Sequence, residues 1–258
     1  MRLGRIASPD GVAFVSIEGE GESATAKEIA EHPFGTPTFT GRSWPLADVR
    51  LLAPILASKV IAVGRNYAAH AAESGNEVPE EPVIFLKPNT SIVGPGAPIV
   101  IPRNASVVHH EAELAVVIGR PCKDVPAAKA REAILGYTVA NDVSARDHQA
   151  ADGQWTRAKG HDTFCPLGPW IETDLDPSDL EITAEVDGQQ RQRSRTSLMV
   201  HDIPKLIEWV SAVMTLLPGD VILTGTPEGV GPIVPGDTVS VTVEKIGTLT
   251  NPVVAKGA

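Results

Sequence analysis

The chain has 258 residues, of which 42% are hydrophobic and 21% are charged, and its net charge is −10. This length supports a full hydrophobic core, and the hydrophobic content excludes a disordered chain. The net negative charge and the scattered lysines and arginines argue against nucleic acid or an anionic membrane as a partner. They do not exclude a small anionic substrate. The 23 glycines and 22 prolines have no triplet period, which excludes collagen and indicates a turn-rich protein.

Hydrophobic patterning predicts more strands than helices. Alternating or continuous apolar runs predict strands at 12–17, 59–64, 83–86, 111–118, 137–143, 182–186 and 239–243. Helices are predicted at 124–134 and 203–217, and the second has apolar residues at a period of 3.6 between a capping Asp202 and Pro218. The predicted fold class is therefore mainly β with a few helices (α+β).

The character of the sequence changes near residue 58. Residues 1–58 predict a small N-terminal domain, and the denser pattern of residues 59–258 predicts a larger domain that holds the candidate site residues. The chain begins without an apolar signal region, and no stretch approaches the ~18 apolar residues that a membrane span needs. We therefore expect a cytoplasmic protein. Its two cysteines, Cys122 and Cys165, do not make a disulfide framework, although one disulfide is compatible with the sequence.

The segment HHEAE, residues 109–113, indicates a metal site. On a strand, Glu111 and Glu113 project from the same face, where two carboxylates repel unless the face is solvated or a cation lies between them. With Asp142 they offer three oxygen ligands, which suit Mg²⁺ or Mn²⁺ better than zinc. His109 and His110 point to opposite faces, so at most one can join the carboxylates, and we expect a structural role for them.

Other residues indicate acid–base chemistry. In AAHAAE, a helical turn would make His70 and Glu73 i,i+3 neighbours, either a general-base dyad or an ordinary surface pair. Lys87 and Lys159 follow or adjoin apolar and aromatic residues, and each is either a charge-stabilising group or an exposed lysine. The loop LTGTPEGVGP follows a strand; it offers backbone N–H groups and the Thr226 hydroxyl to a carboxylate, or it is a plain tight loop. It has no phosphate-binding pattern.

Six segments occur in the order found in one enzyme family. They are GRNYAAHAAE, EPVIFLKP, HHEAELAVVIG, GYTVANDVSARDHQ, DGQWTRAKGHDTFCPLGP and LTGTPEGVGP. Together they resemble the fumarylacetoacetate hydrolase family from about Lys59 to the C-terminus. The resemblance implies the family's mixed β-sandwich or roll as the catalytic domain, preceded by the small N-terminal domain of many bacterial members.

The resemblance also implies roles for individual residues. Glu111, Glu113 and Asp142 match the ligands of a divalent metal, Mg²⁺ or Mn²⁺. His70 and Glu73 match a dyad on a lid helix that activates water. The remaining matches are an active-site lysine and four residues that line the substrate pocket or hold its carboxylate: Lys159, Arg146, Gln149, Lys87 and Thr226. Members of the family are commonly homodimers, so a homodimer is expected here.

The resemblance favours one reaction and leaves others open. We expect C–C bond hydrolysis of a small 2,4-dioxo acid such as an acylpyruvate, with the metal as Lewis acid, His70 activating water and Lys159 stabilising the oxyanion. The alternatives are decarboxylation of oxaloacetate and isomerisation of 2-hydroxyhepta-2,4-diene-1,7-dioate in aromatic catabolism. A non-catalytic, metal-stabilised binding module is a remote alternative, because every candidate site residue is present.

Overall fold

The computed structural model describes residues 1–257, which form mostly β-strands. The strands are β1 (Arg2–Ser8), β2 (Gly11–Glu18), β3 (Thr25–Ile29), β4 (Phe39–Pro45), β5 (Arg50–Leu51), β6 (Val60–Gly64), β7 (Val83–Lys87), β8 (Ile92–Val93), β9 (Ile99–Ile101), β10 (Val108–His110), β11 (Ala112–Ile118), β12 (Ile134–Asn141), β13 (Ser144–Ala145), β14 (Cys165–Glu172), β15 (Glu181–Val186), β16 (Gln189–Arg195), β17 (Val221–Leu223), β18 (Gly231–Pro232), β19 (Thr238–Val243) and β20 (Gly247–Ala255). The α-helices are α1 (Ala68–Glu73), α2 (Arg146–Asp152), α3 (Thr156–Lys159) and α4 (Ile203–Val213). The predicted strands are all present, with ends shifted by up to three residues.

The largest sheet joins the N-terminal strands to the centre of the molecule. Its order is β4-β3-β2-β1-β14-β12-β11-β17-β6-β7, with β5 paired to β1 and β8 paired to β14. The N-terminal strands enter it through the antiparallel pair β1–β14, in which Leu3 faces Ile171. Two smaller sheets have the orders β16-β15-β19-β20-β9 and β13-β10-β18.

The core lies between the largest sheet and the five-stranded sheet. From Leu114 to Ile118, strand β11 is a continuous apolar run because both faces of the strand are covered. Leu114 and Val116 pack into the cluster that includes Ile182 and Val241 of the second sheet, whereas Val117 packs into a cluster on the opposite face. By contrast, β15 and β19 alternate between buried and more exposed residues, as strands with one covered face do. This arrangement confirms the predicted mainly β, sandwich-type fold class.

The two predicted helices are present but differ from the prediction in length or in helix type. Helix α4 begins where expected, because the Asp202 side chain accepts the Lys205 N–H at its start, but it ends at Val213 rather than residue 217. Met214 is extended, and the Leu216 backbone pairs with that of Cys122, so a tertiary contact outweighs the helical pattern. The short helix predicted at 124–134 is present as a 3-10 helix over Ala127–Ala133, with i,i+3 hydrogen bonds, and is shorter than expected.

Cys122 and Cys165 are free thiols, and burial raises the pKa of Cys165 to about 12. Within residues 1–257, no helix has the length and apolar character needed to cross a bilayer. The division into domains at residue 58 stays a prediction.

Candidate active site

Three carboxylates meet where β11 begins and β12 ends. The antiparallel register places Ala112 opposite Asn141, so Glu111 and Asp142 are brought together on neighbouring strand ends. The Asp142 N–H donates to the Glu111 carbonyl oxygen at 2.9 Å, and the Asn141 side chain accepts the Glu111 N–H at 2.9 Å. One oxygen from each of Glu111, Glu113 and Asp142 lies within 4.8 Å of the others, and all three residues are buried.

Three cationic side chains surround this cluster. Lys159 Nζ lies 2.7 Å from Glu111 Oε2 and 2.7 Å from Asp142 Oδ2. Arg146 donates to the other oxygen of Glu111, and Lys87 donates to the other oxygen of Asp142. Three buried carboxylates are therefore matched in number by three cations.

Glu113 differs from the other two carboxylates. Within the described range it forms no ion pair, and its partner is the Gly225 N–H, which donates to Oε2 at 2.6 Å. Burial and the neighbouring carboxylates of Asp142 and Glu111 raise the pKa of Glu113 well above its usual range. Burial alone would also raise the pKa of Glu111, but Lys159 and Arg146 outweigh it and hold that pKa well below its usual range.

This donor set fits a divalent cation. Glu113 is a 1% exposed carboxylate for which residues 1–257 offer no cationic partner, and it lies next to two further carboxylates. An uncompensated buried carboxylate is costly, and a hard cation with oxygen ligands would relieve that cost. The oxygen-only ligands, without cysteine or histidine in the cluster, favour ions of the Mg²⁺ or Mn²⁺ type over zinc.

The His70–Glu73 pair is formed on α1. His70 Nδ1 lies 3.3 Å from Glu73 Oε2, and the i,i+3 spacing of the helix places the two side chains on one face. The Gly229 N–H donates to both carboxylate oxygens of Glu73, at 3.1 and 3.2 Å. Gly229 has φ +90°, and a Cβ there would lie 2.2 Å from the Arg191 carbonyl oxygen, so only glycine allows this approach.

Both groups face one cavity of about 510 Å³. The sequence-predicted residues that line it are Glu111, Glu113, Asp142, His70, Glu73, Lys159, Arg146, Gln149 and Thr226. Arg146 donates to the Gln149 side chain at 2.8 Å, so these two residues on α2 act as one unit at the cavity wall. The structure thus brings together residues from five separated segments of the chain.

Lys87 requires a correction. The resemblance placed it among the residues that line the substrate pocket or hold the substrate carboxylate, but it is absent from the cavity wall and its side chain is fully buried against Asp142. Its ammonium group is directed to Asp142 Oδ1, because a buried ammonium needs an anionic partner. Lys87 therefore holds a carboxylate in place and does not contact the cavity.

The adjacent residues His109 and His110 have different surroundings, as expected for side chains that point to opposite faces of a strand. Neither belongs to the carboxylate cluster; His109 lines the cavity, and His110 is buried. His110 Nδ1 lies 3.2 Å from Gln192 Oε1, which can only accept, so Nδ1 carries the proton. Burial lowers the pKa of His110, consistent with a neutral ring.

Sequence reasoning missed the apolar wall of the cavity. Phe85 and Trp155 pack edge to face there, with ring centroids 5.1 Å apart, beside Val63. Arg65 also lines the cavity, with its guanidinium 5.9 Å from the centre of the Trp155 ring. The tryptophan in DGQWTRAKG and the arginine in GRNY were available in the sequence, but nothing in their spacing relates one to the other.

Comparison with known proteins identifies the family. A profile described as "Fumarylacetoacetate (FAA) hydrolase C-terminal" matches residues 59–254, and one described as "Rv2993c-like, N-terminal" matches residues 1–54. The chain belongs to the fumarylacetoacetate hydrolase family. This confirms the resemblance inferred from the six sequence segments, and it makes the chain an enzyme of that family.

Three relatives illustrate the range of the fumarylacetoacetate hydrolase family. Protein Rv2993c of Mycobacterium tuberculosis is 73% identical over 263 residues, which cover 100% of this chain and 99% of the relative. A crystal structure of 5-carboxymethyl-2-hydroxymuconate delta-isomerase from Mycobacterium smegmatis is 78% identical with a TM-score of 0.94, covering 99% of this chain and 100% of that one. The mitochondrial oxaloacetate decarboxylase of Dictyostelium discoideum is 46% identical over 197 residues, covering 74% and 90%.

Proposed function

We propose that this chain is a divalent-metal-dependent enzyme for small 2-oxo carboxylic acids, and that it hydrolyses a C–C bond of an acylpyruvate-type substrate. One observation carries the proposal: the buried carboxylate cluster and the His70–Glu73 pair face the same cavity. Glu111, Glu113 and Asp142 would hold Mg²⁺ or Mn²⁺. When bound, the ion would supply a Lewis acid for the carboxylate and 2-oxo oxygens of the substrate.

The charges of the site support this substrate class. The three carboxylates and the three cations Lys87, Lys159 and Arg146 cancel, so a divalent ion would leave the site with an excess of two positive charges. A 2-oxo acid carries one negative charge, and its enolate form carries two. The site is therefore electrostatically matched to the enolate more closely than to the starting acid, as transition-state stabilisation requires.

His70 would move the proton. Glu73 occupies Nδ1, which leaves Nε2 as the nitrogen that accepts a proton from water. Glu73 is 38% exposed on its side chain, so water reaches the pair from the surface. The Glu73 carboxylate fixes the orientation of the imidazole, as a general base needs.

The other cavity residues would bind and orient the substrate. Arg146 and Gln149 present a guanidinium and an amide to an anionic oxygen, and Thr226 adds a hydroxyl. The Lys159 ammonium, held between two carboxylates, lies where it can stabilise an oxyanion at the attacked carbonyl. The wall of Phe85 and Trp155 offers an apolar surface to the acyl group.

A second candidate is proton transfer or decarboxylation without water. An isomerase and an oxaloacetate decarboxylase are among the relatives, which favours it. Both reactions use the same enolate, and His70 could move a proton between carbon atoms instead of taking one from water. The two candidates differ in whether water enters the product.

Proton NMR of the purified protein distinguishes them. Separate samples contain Mg²⁺ with acetylpyruvate, oxaloacetate or 2-hydroxyhepta-2,4-diene-1,7-dioate, and each is repeated with EDTA. Acetate plus pyruvate, abolished by EDTA, is the expected result. Pyruvate from oxaloacetate above the metal-only rate, or a rearranged diene, would instead establish the second candidate.

Variants test the roles of the residues. The change Glu113→Ala should abolish every activity, because it removes a metal ligand. The change His70→Ala should abolish hydrolysis and leave decarboxylation, which needs no activated water. Equal loss of both activities in His70→Ala would contradict this division of roles.

A further inference from the structure

Gln192 connects the carboxylate cluster to the Thr226 loop. It lies on β16, in the five-stranded sheet, and is 1% exposed. Its Oε1 lies 2.9 Å from the Ala112 backbone nitrogen and 3.2 Å from His110 Nδ1. Its Nε2 lies 2.8 Å from Thr226 Oγ1 and 2.8 Å from the Pro227 carbonyl oxygen. The hydrogen-bonding capacity of the amide is thus used on both sides.

Two backbone groups determine which way the amide points. The Ala112 N–H can only donate, so the atom facing it must be the oxygen. The Pro227 carbonyl can only accept, so the atom facing it must be the nitrogen. The amide assignment therefore does not depend on the choice of a hydroxyl rotamer or a histidine tautomer.

This orientation determines how the Thr226 hydroxyl bonds. Because the amide nitrogen can only donate, Thr226 Oγ1 must accept from it, and the proton of the hydroxyl remains available for another acceptor. Thr226 lines the active-site cavity, and no other hydrogen bond of its hydroxyl is found within residues 1–257. The available acceptor is a ligand in the cavity.

We infer that Gln192 is a positioning residue that makes the Thr226 hydroxyl a hydrogen-bond donor to an anionic oxygen of the ligand. The inference deepens the proposed function and rests on it in one respect, because the anionic character of the ligand comes from that proposal. Gln192 does not touch the cavity itself. It acts through Thr226, and its bond to Ala112 ties this donor to the residue between Glu111 and Glu113.

The isosteric change Gln192→Glu reverses this hydrogen bond. A carboxylate keeps the bond from the Ala112 N–H, but it presents an acceptor to Thr226. The Thr226 hydroxyl then donates its hydrogen bond to the new carboxylate and no longer to the ligand. The change Gln192→Leu removes all four hydrogen bonds and leaves the Thr226 hydroxyl free to rotate toward the ligand. A purely structural role predicts more damage to ligand binding from leucine, whereas the inference predicts more damage from glutamate.

Oxalate is the probe, because it pairs a carboxylate with an adjacent anionic oxygen, as the enolate of a 2-oxo acid does. Its dissociation constant is measured by calorimetry on the Mg²⁺-loaded protein, and the affinity for Mg²⁺ alone is measured separately. We expect about 10- to 100-fold weaker oxalate binding in Gln192→Glu and in Thr226→Val, the range for a lost hydrogen bond to a charged group. The change Gln190→Glu adds the same charge at an exposed site on β16 and should alter binding less than about twofold.

A double-variant cycle separates hydrogen bonding from charge repulsion. In the Thr226→Val background no hydroxyl remains to change its hydrogen bond. The fold loss of oxalate affinity caused by Gln192→Glu should therefore be at least about fivefold smaller there than in the wild-type background. Repulsion between the new carboxylate and oxalate would persist in that background. An unchanged loss in both backgrounds would therefore overturn the inference.

Three further measurements complete the test. Thr226→Ser should bind oxalate nearly as well as the wild type, because it retains the hydroxyl. If Gln192→Glu does not fold, Gln192→Leu takes its place, and any loss it causes should disappear in the Thr226→Val background; a persistent loss refutes the role. Failure of the wild type to bind oxalate with Mg²⁺ would overturn the anionic-ligand assignment and with it the proposed function, whereas failure of the cycle alone overturns only the role of Gln192.

Discussion

Replacement of Lys159 by methionine tests the charge balance of the buried site. Lys159 Nζ lies 2.7 Å from both Glu111 Oε2 and Asp142 Oδ2, and its side chain is 3% exposed. Burial opposes the charged amine, but the two carboxylates raise the pKa of Lys159 above its ordinary value. Methionine keeps an apolar chain of similar length and removes the charge, so Glu111 and Asp142 would both lose the ion pair that they form with Lys159.

The expected loss of stability is large. Removing one partner of a buried ion pair costs about 3–5 kcal/mol, because the remaining charge is left uncompensated. For a chain of this size, each kcal/mol corresponds to about 2–4 °C in Tm, so the metal-free variant should melt about 6–20 °C below the wild type. Mg²⁺ should raise the Tm of the variant more than that of the wild type, since the added cation replaces the missing charge.

Differential scanning calorimetry in EDTA and in excess Mg²⁺ measures both effects. Lys27→Met is the matched control, because Lys27 pairs with Glu18 on the surface, with side chains 44% and 52% exposed. Its effect should stay within about 0.5 kcal/mol. If Lys159→Met in EDTA melted within about 2 °C of the wild type, the buried cluster would not depend on this cation and the reasoning would be refuted.

The remaining predictions concern the His70–Glu73 pair, the carboxylate cluster and α2. Gly229→Ala should lower kcat at least about tenfold, since its strained backbone must shift by an ångström-scale distance and loosen the bond to Glu73; steady-state kinetics with unchanged kcat would contradict this. Glu113→Gln should abolish calorimetric Mg²⁺ binding. In EDTA it should also be more stable than the wild type as pH rises above 4.5, because ionisation of a buried carboxyl with a raised pKa costs folding energy only in the wild type; equal stability at every pH would count against it. Partial burial raises the pKa of Asp147, but hydrogen bonds from Ser106 and the His148 N–H lower it to about 2. Asp147→Asn should therefore be less stable than the wild type above pH 3.8, and urea titrations should show this difference vanishing as pH falls through 2.

The sequence predicted the features that depend on residues close together in the chain. Strand positions followed from apolar alternation, and the capped start of α4 followed from Asp202. The common face of Glu111 and Glu113 follows from the two-residue period of a strand, and the i,i+3 contact of His70 with Glu73 follows from helical geometry. Six ordered motifs were sufficient to indicate the family. The expected homodimer stays a prediction that light scattering can test.

Tertiary structure alone decided how distant segments meet. Lys87 faces Asp142, 55 residues away, rather than the cavity, and Gln192 reaches Ala112 across 80 residues. Helix α4 stops at Val213 because the following segment pairs with Cys122, although its apolar period continues. Periodicity and capping act over a few turns of chain, so the sequence determines them locally. Contacts between distant residues depend on strand register and sheet packing, and the energies of these are summed over the whole core. A local sequence pattern therefore does not predict such contacts.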